Sequence, residues 1–432
     1  MVQRRFVVKK ITVTWVFSFL GLFVLFSNPL YAMPVPDRHI VVFQDWVGHP
    51  DLNAKRLAAQ HGLGLGHIYH HALKGFVATI PFNKLDFVKN DPDVKYVSPD
   101  QIVTLVGNDR VSGPGKPGGG KGGTTQPAQV LPFGVNRVNA ELSSLALIDG
   151  QDQRVDVDVA VLDTGIDKSH PDLNVVGGVN FSTGRATNFN DGNGHGTHVS
   201  GTIGALDNAI GVVGVAPGAR LWAVRVLDNN GSGFLSDVIA GIDWVTQRAD
   251  VIDVANMSLG WTENPSSPSP VREAIQASVA KGIVYAVAAG NDSKDAQNFA
   301  PASYPEVITV SAVADSDGVA GGFGGPTSYG ADDTFATFSN FGSSVDLAAP
   351  GVDIFSTLPG GLYGKKSGTS MASPHVAGAA ALYVVRFGKP LDSFGVEALR
   401  QGLIQFGTPQ NSSDGFLGDL DGFPEPLVNV QF

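Results

Sequence analysis

The chain has 432 residues, 43% hydrophobic and only 16% charged, so it can bury a large core and hold more than one folded unit. A formal net charge of −11 leaves no basic excess from which to build a nucleic-acid-binding face. The absence of cysteine excludes a disulfide framework, a thiolate metal site and a cysteine nucleophile, so stability must come from packing and from any bound cation.

Residues 1–32 begin with Arg4, Arg5, Lys9 and Lys10, continue as an apolar run over 11–26, and end in Ser27-Asn28-Pro29 and a small Ala32. This three-part pattern predicts a secretory signal peptide cut after Ala32, and the apolar run is short for a membrane span. The remainder is expected outside the cytoplasm, extracellular or periplasmic, with no membrane anchor after cleavage. Residues 37–106 then alternate short apolar strands with polar helices. The pattern predicts a strand over 39–43, a helix over 51–61, a hairpin over 66–72 and 75–80, a helix over 82–90 and a last strand over 94–97. The order β-α-β-β-α-β is that of a small ferredoxin-like α+β unit. Its His67, His70 and His71 lie on a strand with no acidic ligand nearby in sequence, which reads as a surface strand rather than a metal site. Residues 107–127, with Gly and Pro dominating 113–123, have nothing to bury and form a linker.

From residue 128 the pattern changes to near-continuous apolar strands, at 155–162, 220–227, 251–256, 282–289, 307–314 and 345–348. Helical stretches over 195–205, 235–248, 270–281 and 369–386 fall among them. Such a series predicts an α/β domain of three layers, a mostly parallel sheet with helices on both faces, whose functional groups gather at the carboxyl ends of the strands. Residues 261–269 and 318–333 read as inserted surface loops, and the Asp-, Gly- and Pro-rich tail after Gly415 as an extended wrap.

Three motifs fall where a site belongs in that architecture. Asp163 ends a strand in Val-Leu-Asp-Thr-Gly, His195 opens a helix in Gly-His-Gly-Thr-His, and Ser370 opens another in Gly-Thr-Ser-Met-Ala-Ser-Pro-His. Pro374 reads as close enough to the helix start to be tolerated in or near its first turn. Acyl transfer needs a hydroxyl made nucleophilic by an imidazole, and an imidazole held in one tautomer by a carboxylate. Ser, His and Asp fill those roles, whereas each motif alone is equally a cap or a turn.

The chain resembles the subtilisin-like serine proteases, the subtilases, through DTG at 163–165, HGTHVSGT at 195–202 and GTSMASPHVAG at 368–378. The resemblance runs from residue 128 to about residue 390. It implies that Ser370 is the nucleophile, His195 the base and then the acid, and Asp163 the group that orients His195. His198 and His375 are structural in that scheme, and the Glu of an HExxH zinc motif is missing. Asn291, after Ala288-Ala289-Gly290, resembles the family's oxyanion donor, acting with the Ser370 backbone N–H. Gly231, Ser232 and Gly233 on one side, and Ser258, Leu259 and Gly260 on the other, resemble the segments that pair with an extended protein or peptide substrate. Leu259 with Ala288 and Ala289 implies a hydrophobic residue before the cut. A structural calcium ion is implied at Gln129, Asp172 and Asn208 with the carbonyls of Leu206, Ile210 and Val212, an all-oxygen set suited to that ion. Residues 37–106 resemble the family's inhibitory propeptide, with the tail near Leu105 in the cleft, 128–432 forming the peptidase domain, and a mature start between Val106 and Ala128. A secreted monomeric zymogen is expected. A catalytically silent binding module, and a peptide ligase or dedicated processing protease, are the alternatives.

Overall fold

Successive residues of a strand point to opposite faces, so a strand with every side chain buried is covered on both. Asp158–Asp163, Val254–Met257, Val284–Ala288 and Ile308–Ala314 are buried at every position. They form the centre of an eight-stranded sheet in the computed structural model, which describes residues 34–106, 126–263 and 268–432. The expected signal peptide, most of the linker and the middle of the 261–269 insertion lie outside the described residues.

The sheet runs in the order Thr334–Phe335, Ile308–Ala314, Val284–Ala288, Val254–Met257, Asp158–Asp163, Arg220–Arg225 and Val175–Asn180, with Leu347–Pro350 also paired to Ile308–Ala314. Every pairing is parallel except that of Thr334–Phe335. Helices His195–Gly204 and Thr369–Phe387 pack on each other and on the sheet centre, while Leu235–Thr246 packs on Pro270–Val279. No helix among the described residues is long and apolar enough to cross a membrane.

Pro374 departs from expectation. It is the sixth residue of the helix Thr369–Phe387, beyond the first turn, and so removes the N–H that would bond to the Ser370 carbonyl. The Ser258 hydroxyl donates to that carbonyl at 3.0 Å instead, which removes the penalty of a buried orphan acceptor. The tail does wrap the surface, with Leu417 bridged to Thr334, Leu427 to both Ala348 and Thr408, and Val430 donating to Val138. Its Glu425 is buried against the Ser311 hydroxyl at 2.6 Å, and burial pushes that carboxyl up to about 8. The 318–333 insertion is less of a surface loop than it reads. Asp332 and Asp333 at its end are buried and accept backbone N–H groups from Gly321, Gly322 and Gly324.

The N-terminal unit has the expected topology. Strands Pro34–Phe43, Gly64–Tyr69, Gly75–Thr79 and Val94–Leu105 form an antiparallel sheet in which the first strand lies between the third and the fourth. Helices Pro50–His61 and Phe82–Lys89 complete it. In Ile40-Val41-Val42-Phe43 the two faces are buried differently. Val41 and Phe43 pack with Ala54, Leu57, Phe76 and Val88, whereas Ile40 and Val42 join the core of the larger domain. A strand apolar on both faces thus builds its own small core and an interface.

That interface corrects the reading of the histidines. His67 is half-buried, with Nε2 at 3.1 Å from Asp237 Oδ1 and 3.2 Å from the Phe181 carbonyl. The backbone N–H groups of His70, His71 and Ala72 all donate to the Asp243 carboxylate. Asp100 likewise accepts from Ser236 N and Oγ at the start of the helix Leu235–Thr246, and from Arg38 Nε at 2.6 Å. The partners that the larger domain supplies here are at least 114 residues away in sequence, so nothing local announces them.

Candidate active site

The last strand of the N-terminal unit does not stop at Val97 but continues to Leu105. Its second half leaves its own sheet and pairs antiparallel on both sides with the larger domain. Ile102, Val103 and Thr104 face Phe234, Gly233 and Ser232, and Thr104 and Leu105 face Gly260 and Leu259. The six expected substrate-pairing residues are thereby brought to one cleft around a strand of this same chain. Gly231 adopts φ +75°, and a Cβ there would meet Leu105 Cδ1 at 2.6 Å, so the glycine makes room for the strand as well as the turn.

Val106 directly follows that strand. Its carbonyl oxygen accepts from Asn291 Nδ2 at 2.7 Å and lies 3.3 Å from Ser370 Oγ. Asn291 is held in this orientation because its own Oδ1 accepts from Thr369 N and Thr369 Oγ1, each at 2.8 Å. Its amide hydrogens therefore point into the cleft. Thr369 Oγ1 in turn accepts from Gly290 N, tying the strand end to the helix start. This amide clamp is absent from the sequence reading, as is Asn256, which links Ser373 Oγ to Ser258.

Asp163 stands at the carboxyl end of its strand and both its oxygens lie 2.8 Å from His195 Nδ1. The approach needs Gly196, where a Cβ would sit 2.1 Å from the Gly165 carbonyl. An Nδ1–H donor leaves Nε2 as the imidazole's basic nitrogen. Asp163, His195 and Ser370 have no exposed surface in this chain. The other two motif histidines are structural: His198 Nε2 contacts the Ile354 and Gly364 carbonyls, His375 Nδ1 the Met371 carbonyl, and burial pushes them down to about 3 and about 4.

The segments that carry the six expected cation ligands lie side by side. Segment 128–130 bridges to Ile210 and Val212, so Gln129 lies across the loop, with Oε1 accepting from Asn208 N and Nε2 donating to Asp207. Asp172 is fully buried, accepts from Val212 N at 3.0 Å and Asn208 Nδ2 at 2.9 Å, and is pushed up to about 6 by burial. Asp207 was not foreseen; its carboxylate holds the Asp149 and Gly150 N–H groups. A second acidic group, Asp315, Asp317 and Asp332, forms at the 318–333 insertion, where Arg137 pairs with Asp315 at 2.8 Å.

A model of the subtilase family matches residues 155–414, and one of the peptidase inhibitor I9 family matches residues 38–106. The chain is 42% identical to subtilisin E of Bacillus subtilis (strain 168) over 308 residues, 71% of this chain and 69% of that one. It is 43% identical to subtilisin DY of Bacillus licheniformis over 307 residues, 70% of this chain and 98% of that one. Against the subtilisin of Bacillus pumilus the identity is 45% over 258 residues, 59% of this chain and 85% of that one. The protein therefore belongs to the subtilase family, as a subtilisin-type serine endopeptidase that carries its own I9 inhibitor domain.

Proposed function

We propose that this enzyme is made as a self-inhibited zymogen and first cuts its own Val106–Gly107 bond, through an acyl-enzyme on Ser370. The observation that carries the reading is the Val106 carbonyl, clamped at the end of a doubly paired strand between Asn291 Nδ2 and Ser370 Oγ. Ser370 Oγ attacks that carbonyl carbon while His195 Nε2 takes the hydroxyl proton, and Asp163 stabilises the imidazolium through Nδ1–H. Asn291 Nδ2–H and the Ser370 backbone N–H, at the open first turn of its helix, receive the developing oxyanion. His195 then gives its proton to the departing Gly107 amine, and water, deprotonated by the same imidazole, releases the Val106 carboxylate. Other protein and peptide substrates bind as the same extended strand, with a hydrophobic residue before the cut.

On this reading residues 1–32 are a signal peptide, 37–106 the inhibitor, 107–127 the linker and 128–432 a monomeric peptidase domain acting outside the cytoplasm. Intact-mass analysis of the first processing products is expected to give a propeptide ending at Val106. A first cut nearer Ala128 would overturn the assignment.

A calcium ion fits the Gln129, Asp172 and Asn208 cluster. Asp172 is a buried carboxylate, met by Val212 N–H, Asn208 Nδ2 and the Tyr363 hydroxyl, and the amide groups of Gln129 and Asn208 with the loop carbonyls are the oxygen donors at hand. An ion bound there would offset the cost of burying Asp172 and fasten segment 126–130 to loop 206–212. Chelation is expected to lower the melting temperature by about 5 °C, from about 2.7 kcal/mol at a hundredfold excess over Kd and about 2 °C per kcal/mol. Asp172→Asn should remove the dependence. A melting temperature indifferent to chelator in the parent chain would exclude the site.

A further inference from the structure

The four leading N–H groups of a helix have no partner within it, and they are met from outside or by water. In the helix that His195 opens, Gly194 is the N-cap, has φ +102° and supplies no side chain, so the caps come from elsewhere. His195 N donates to Asn193 Oδ1 at 3.2 Å, Gly196 N to Thr164 Oγ1 at 3.0 Å, and Thr197 N to Asp191 Oδ2 at 2.9 Å. The second of these caps comes from Thr164, the residue just beyond the strand that Asp163 ends.

Asp191 closes the circuit. Its Oδ1 accepts from Thr164 Oγ1 at 3.0 Å, Asn193 N at 2.9 Å and Gly194 N at 2.8 Å. Its Oδ2 accepts from Thr197 N and from Thr197 Oγ1 at 2.6 Å. A carboxylate only 4% exposed therefore takes five hydrogen bonds, and they come from both sides of the Asp163–His195 contact. Its negative charge also lies at the electropositive helix end, where it is favoured. An acceptor-only group suits five converging donors, whereas an amide would turn its NH₂ towards some of them.

We propose that Asp191 is a positioning residue, which sets the distance and angle between the Asp163 carboxylate and the His195 ring by tying Thr164 to the first turn of the helix. The proposal rests on the triad reading above. It separates this carboxylate from one that merely stabilises a loop, because the Asp163 and His195 backbones are joined through the Thr164 hydroxyl rather than by packing alone. Misplacement of a reacting group by about 1 Å costs on the order of 10²-fold in rate.

The test is a cycle in the full chain, read as the first-order rate of self-cutting at Val106–Gly107 and, for variants that process themselves, as kcat and KM on a peptide substrate ending in Leu-Val before the cut, with melting temperatures alongside. Asp191→Asn is expected to lower kcat by about 10²-fold with KM unchanged. In a His195→Ala background the same change is expected to lower the residual rate no further, since there is no ring left to position. Thr164→Val, which cuts one of the five bonds, should shift kcat in the same direction, and Thr164→Ser should recover it; this pair serves if Asp191→Asn does not fold. An unchanged kcat with a lowered melting temperature, or an equal loss in both backgrounds, overturns the proposal. Parental turnover in His195→Ala alone would instead remove the triad reading on which it rests.

Discussion

Ser370→Ala is expected to leave a folded, uncut chain of full inhibitor-plus-peptidase length, with kcat lower by about 10⁶-fold; that scale is the one measured for the triad serine of subtilisin itself, not one computed for this chain. Folding should survive because the hydroxyl makes only long hydrogen bonds among the described residues, to the Val106 and Ser258 carbonyls at 3.3 and 3.4 Å, while the Ser370 carbonyl keeps its bond from Ser258. The residue lies in a helix whose packing comes from Met371, Ala372, Val376 and Ala377. Two readouts bear on it: the absence of a propeptide band on refolding, and failure of a fluorophosphonate probe to label the protein. Normal self-processing by this variant would disprove the role given to Ser370.

Loss of the Asn291 donor is expected to cost about 10² to 10³ in kcat with little change in KM, again a range that comes from the oxyanion asparagine of subtilisin. The choice of substitution matters here, because Asn291 works at both ends of its amide. Asn291→Ala removes the donor to the Val106 carbonyl, and also the acceptor for Thr369 N and Oγ1. A stability loss of about 1–3 kcal/mol from unpaired buried donors then accompanies the catalytic one. Asn291→Asp keeps that acceptor and replaces the donor by an oxygen facing the oxyanion. It should therefore retain the melting temperature while losing at least as much kcat. Equal turnover in Asn291→Asp and the parent would show that the amide is not the donor.

Local pattern carried much of the architecture. The strands over 155–162 and 307–314 were legible because apolar runs of that length suit a sheet covered on both faces, and they are found as Asp158–Asp163 and Ile308–Ala314. The helix over 82–90 ends one residue earlier, within ordinary fraying. The final strand of the inhibitor was read too short for a physical reason. Ser98, Pro99 and Asp100 are turn-forming residues, and Pro99 cannot donate to a ladder. What keeps them extended is long-range: Asp100 caps the start of the helix Leu235–Thr246, and residues 102–105 are sandwiched between Ser232–Phe234 and Leu259–Thr262. Pro374 failed for a similar reason, since only the fold supplies the Ser258 hydroxyl that takes over the released carbonyl.

By itself the sequence determined the chemistry: a carboxylate, an imidazole and a hydroxyl, each beside glycine at an element's end, together with an α/β frame that places such ends on one side of a sheet. Residue type and the periods of helix and strand are local properties, so they can be read without the fold. Tertiary structure alone decided what meets what. It put Val106, rather than a later linker residue, against Asn291 and Ser370, and turned three histidine-bearing residues into an interface with Asp237 and Asp243. It also joined Asp191 to both halves of the Asp163–His195 pair. Those contacts depend on the direction of side chains from segments far apart in the chain, which is set only when the sheet and its covering helices close around a common core.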